Sequence, residues 1–68
     1  MTDLLTNSED EMVHRLKNYL TIIIGFSDLL LEDLDTSDPK RHDVAEIRTA
    51  AASALAAMPE LAERLRKE

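Results

Sequence analysis

The sequence predicts an all-α protein, an antiparallel two-helix hairpin that dimerises into a four-helix bundle. Three observations predict it. Residues 14–34, HRLKNYLTIIIGFSDLLLEDL, carry apolar side chains at helical spacing. Residues 44–65 carry an apolar heptad seam. Between them, Asp35-Thr36-Ser37-Asp38-Pro39 reads as a turn, and a loop of about four residues sets its two helices antiparallel.

Taken in order, residues 1–8 read as a flexible leader. Ser8-Glu9-Asp10-Glu11 reads as a capping box, in which Ser8 accepts from the Glu11 backbone N–H and Glu11 reaches back. Three acids in one turn also suit the positive end of a helix dipole. The first helix is therefore expected over about residues 9–34. Met12, Leu16, Tyr19, Ile23, Phe26 and Leu30 follow the 4–3 rhythm of a bundle core, with Leu34 near the end. A second row, Val13, Leu20, Ser27 and Leu31, widens the stripe enough to meet more than one neighbouring helix. Gly25 costs about 1 kcal/mol relative to alanine in mid-helix. It falls beside His14 on the helical wheel, where it either keeps that face open or is simply tolerated.

Asp38 is a good N-cap, and Pro39 fits the first helical position, where an N–H has no partner. The second helix is expected over about residues 39–66. Val44, Ile47, Ala51, Ala54, Met58, Leu61 and Leu65 form an unbroken heptad seam. The Ala-rich middle leaves room for the bulky residues of the first helix. Pro59 removes one backbone hydrogen bond, but the seam keeps its phase across it, which predicts a kink rather than an end. Arg64, Arg66 and Lys67 complement the negative helix end.

Sixty-eight residues make one small domain, too short to bury a large core alone. Cysteine is absent, which excludes disulfides and thiolate metal sites and suits a reducing, cytoplasmic setting. His14 and His42 do not form an evident metal site. Oligomerisation remains as the means of stabilisation, and a homodimer is expected. The net charge of −6 disfavours nucleic acid and anionic membrane as partners. The apolar run 19–26 is too short to span a bilayer, and the polar, acidic start is unlike a signal peptide. No glycine-rich loop is present to cradle a nucleotide phosphate, so no cofactor is expected on this chain.

At roughly 100° per residue, Asn18, Thr21, Gly25, Asp28 and Glu32 lie within roughly 40° of His14, nearly opposite the apolar stripe. Ile22 and Leu29 make a small apolar shoulder beside this polar face, a plausible docking surface. A neutral imidazole is nucleophilic near neutral pH and can carry a phosphoryl group. Phosphoryl transfer demands chiefly positioning and charge stabilisation, so one histidine suffices for a carrier but not for a kinase. Periodicity alone favours a merely solvated histidine. His42 falls on the outside of the second helix and reads as solvated, as does the acidic patch Asp28, Glu32 and Asp33.

His14-Arg15-Leu16-Lys17-Asn18-Tyr19-Leu20-Thr21, followed by Gly25-Phe26-Ser27-Asp28-Leu29-Leu30, resembles the phosphoacceptor box of two-component sensor histidine kinases. Residues 44–51 resemble the start of that family's second helix, and the resemblance covers about residues 10–58. It implies a dimerisation and histidine-phosphotransfer domain. His14 would be the phosphoacceptor, and Asn18 would help position a phosphoryl group or water. The implied partner is a response-regulator receiver domain bearing an acceptor aspartate. ATP and Mg²⁺ would be bound by partner domains.

Two departures stand out. The family usually has an acid directly after the histidine to accept the imidazole proton; here it is Arg15, as in a divergent branch. Arg15 and Lys17 are instead candidates for phosphate or partner contact. The ATP-binding kinase domain is also absent from this chain. The chain is therefore expected to be a histidine kinase fragment or a stand-alone protein phosphorylated in trans by a separate or downstream kinase domain. The alternative is a non-catalytic dimerisation or regulatory hairpin that binds a kinase or receiver domain.

Overall fold

The computed structural model describes residues 3–67 of the chain and the side chains of residues 10–67. The described residues form two helices and no strand: α1 (Asp3–Asp33) and α2 (Lys40–Lys67). They pack antiparallel along their lengths, giving a narrow rod of 56 × 15 × 11 Å.

The loop closes as expected. The Asp38 carboxylate accepts from the Lys40 N–H at 2.9 Å, and its carbonyl accepts from the Arg41 N–H at 3.0 Å. Asp38 is thus the N-cap, with Pro39 at the first helical position. The Asp38 N–H donates to the Asp35 carbonyl at 3.0 Å, which tightens the turn.

The start of α1 departs from expectation. The helix begins at Asp3 rather than near residue 9, so Ser8 lies within it and is not its N-cap. Met1 and Thr2 lie outside the described residues. The physical reason is that residues 3–8 contain neither proline nor glycine. An interior serine costs only about 0.5 kcal/mol, too little to stop a helix. At Pro59, α2 continues without ending.

The C-terminus of α1 presents a problem that the loop alone does not solve. Its last turn holds Glu32 and Asp33 and no basic residue, the wrong sign for the negative end of the dipole. Arg41 reaches back from α2 instead. Its guanidinium donates to the carbonyl of Leu31 and, at 3.3 Å, to that of Leu34. Both carbonyls belong to the group that a helix end leaves without backbone partners. Arg41→Ala is expected to lower stability by about 1–2 kcal/mol, the usual loss for a half-buried charge-assisted bond. A leftward shift of the urea midpoint, followed by circular dichroism, measures it.

The hairpin seam uses one edge of the apolar stripe. Val13 and Ser27 of α1 are buried, as are Ala51 and Met58 of α2. Leu20, Ile24, Leu31 and Leu34, with Val44, Leu55 and Leu65, are half-buried around them. Val13, Leu20, Ser27 and Leu31 are the second row of the first helix, and Val44, Ala51, Met58 and Leu65 are alternate members of the heptad seam of the second; Ile24, Leu34 and Leu55 flank them. The middle of the stripe stays open. Met12, Leu16, Tyr19, Ile23, Phe26 and Leu30 are 41–65% exposed, and Ile47 and Leu61 continue that surface on α2. The hairpin therefore packs on its flank and leaves its broadest apolar face without a partner.

Among the described residues, two ion pairs cross between the helices. Arg48 bonds Asp28, and Arg66 bonds Asp10 at 3.4 Å. Asp28, read from the sequence as merely solvated, is thus one half of a cross-helix pair. Both pairs fit the packed register, in which the end of α2 lies beside the early turns of α1.

Candidate functional site

His14 is exposed on the unbroken backbone of α1, roughly a quarter-turn from the seam and nearly opposite the open apolar stripe. Val13, next to it, is buried and anchors that turn. The ring is thus exposed on a helix that is anchored about a quarter-turn away. None of the side-chain hydrogen bonds among the described residues involves its imidazole.

On a helix, residues three and four apart are neighbours, while adjacent residues are not. Lys17 and Asn18 therefore share the face of His14, and both are exposed. Arg15 is exposed too, but it lies roughly 100° around the helix, toward the open apolar stripe. Of the two basic candidates, Lys17 shares the His14 face, whereas Arg15 lies at the edge of the open stripe. Thr21 turns its hydroxyl inward, donating to the Lys17 carbonyl at 2.8 Å.

Two carboxylates on this face went unremarked as site residues in the sequence. Asp10 and Glu11, four and three residues before His14, read there as capping-box acids. Because α1 starts at Asp3, both lie in mid-helix. Asp10 is half-buried and held by Arg66, while Glu11 is exposed. The signal that finds them is i, i+4 and i, i+3 spacing to the histidine, which becomes relevant once the helix extends past Ser8.

Gly25 is exposed on the same stripe. A Cβ built there meets nothing within 4 Å, and its φ is not positive. Neither space nor backbone geometry demands glycine. Gly25→Ala is therefore expected to stabilise the helix by about 1 kcal/mol, read as a rise of about 4–8 °C in melting temperature.

His42 lies with Glu46 on the outside of α2, 3.8 Å apart. No group of three or more potential ligands that could hold a metal ion occurs among the described residues. Nor is any described helix long and apolar enough to cross a membrane. No protein-family model, curated protein or solved structure matches the chain.

Proposed function

We propose that this chain is a phosphoacceptor and dimerisation module of two-component signalling, which carries a phosphoryl group on His14 and passes it to a receiver-domain aspartate. The observation that carries the reading is the position of His14. It is solvent-exposed, backed by the buried Val13, and flanked by Lys17 and Asn18 on a continuous helix. A carrier histidine needs access, rigidity and a nearby cation, and this one has all three. The resemblance of residues 14–30 to a phosphoacceptor box supplies the reaction class.

Dimerisation rests on the open stripe. A hairpin of this length that leaves Tyr19, Ile23, Phe26 and Leu30 in water gains most by pairing that face with its own copy. His14 projects away from the paired face, so a receiver domain can reach it in the dimer. ATP and Mg²⁺ belong to the partner domains, and the setting is the cytoplasm.

The test is direct. Incubate the chain with a phosphorylated receiver domain, or with a histidine kinase ATP-binding domain plus Mg²⁺ and ATP. Acid-labile, alkali-stable phosphate on a single residue is the expected product. Stable receiver binding with no phosphate on the chain would instead establish a non-catalytic docking hairpin.

A further inference from the structure

We propose that Asp10 is the positioning residue and proton acceptor for His14, and that Arg66 on the last turn of α2 withholds it. The argument starts from spacing. Asp10 precedes His14 by four residues, so the two side chains lie within roughly 40° of each other on one helix face. The same spacing elsewhere in this chain brings an imidazole to a carboxylate: His42 and Glu46 stand 3.8 Å apart. Among the described side chains, His14 makes no such contact. Its carboxylate neighbour is instead turned toward α2, where Asp10 Oδ1 accepts from Arg66 Nη2 at 3.4 Å.

The restraint is a weak one. The Asp10 and Arg66 side chains are 44% and 59% exposed, and ion pairs that wet are readily exchanged. The arm that carries Arg66 is itself lightly fixed. It follows Pro59, which has no N–H to bond the preceding turn. Beyond Met58 none of its described side chains is fully buried: Ala62 and Leu65 are half-buried and the others are exposed. When that arm moves off, Asp10 is free to turn back to His14.

The chemistry of the freed pair follows from the imidazole. One ring nitrogen attacks phosphorus, and the bond from phosphorus to the leaving group breaks with its electron pair. The other ring nitrogen then gives up its proton, for which Asp10 is the adjacent acceptor. A carboxylate hydrogen-bonded to that N–H also fixes the ring and raises the basicity of the attacking nitrogen. Among the described side chains, Glu11 and Lys17 of α1 and Glu63 and Lys67 of the last turns of α2 are further exposed charges at this end of the rod.

The importance of His14 rests on the function proposed above, but the test does not. Phosphoramidate, a small-molecule donor that phosphorylates accessible imidazoles and releases ammonia, serves as the probe with the full chain. Site-resolved mass spectrometry follows His14, with His42 as the internal reference. Arg66→Gln is expected to raise the rate at His14 about threefold or more relative to His42 and to shift its pH–rate profile. Adding Asp10→Asn should remove both effects, and adding Asp10→Glu should restore them. The proposal is overturned if Arg66→Gln leaves the His14 rate and profile unchanged. It is equally overturned if the gain survives Asp10→Asn, or disappears with Glu11→Gln while Asp10 is intact.

Discussion

His14→Gln is expected to abolish acid-labile phosphate on the chain while leaving its helix content and association unchanged. Glutamine has a helix propensity at least equal to that of histidine, and position 14 is exposed, so stability should move by no more than about 0.5 kcal/mol. The amide cannot act as the nucleophile, so incorporation should fall to background rather than to a fraction. His42→Gln, on the outside of α2, is the matched control and should retain full incorporation. Phosphate that persists in His14→Gln, by mass spectrometry or acid-lability assay, would overturn the phosphoacceptor reading without touching the fold.

Ile23→Asp is the second large effect, and it separates a dimer from a lone hairpin. In the single chain Ile23 is 41% exposed and lies on the open stripe, outside the hairpin seam. If the chain acted alone, an aspartate there would be an ordinary surface change, worth about 0.5 kcal/mol or less. In a face-to-face dimer it places a charge in the middle of the joint, at a cost of several kcal/mol, about 3–5 by comparison with other unpaired buried charges. The expected result is a monomer by sedimentation equilibrium, with cooperative thermal unfolding lost or strongly lowered. A dimeric Ile23→Asp chain with an unchanged melting curve would reject the open stripe as the interface.

The two helices, the turn at 35–38 and the Asp38–Pro39 cap were legible because each depends on residues close together in sequence. What was not legible depends on which edge of a stripe meets which neighbour. A wheel shows that Met12 through Leu30 and Val13 through Leu31 form one broad apolar band. It does not show that the hairpin closes on the Val13–Leu31 edge and leaves the other open. The second helix shows the same split: Val44, Ala51, Met58 and Leu65 turn inward, while Ile47 and Leu61 stay exposed.

Cross-helix polar contacts were invisible for a related reason. The Arg41 cap and the Arg48–Asp28 and Arg66–Asp10 pairs join residues from different helices, and no local pattern encodes their register. At the candidate site, His14, Lys17 and Asn18 stood out through the resemblance to a phosphoacceptor box, since periodicity alone favoured a solvated histidine. Asp10 and Glu11 did not, because a plausible capping box supplied a sufficient local explanation for both acids. That explanation fails once α1 is seen to begin at Asp3.

The two ends of the rod are fastened very differently. At the loop end, a covalent turn, the Asp38 cap and the Arg41 guanidinium tie the helices together, whereas the far end shows, among the described side chains, one wet cross-helix ion pair beyond a proline and only half-buried Ala62 and Leu65. Unzipping should therefore start at the free ends and run toward the loop. Limited proteolysis of the native chain would nick the histidine-bearing end first, and any partner that clasps that end would protect the chain from digestion as a whole.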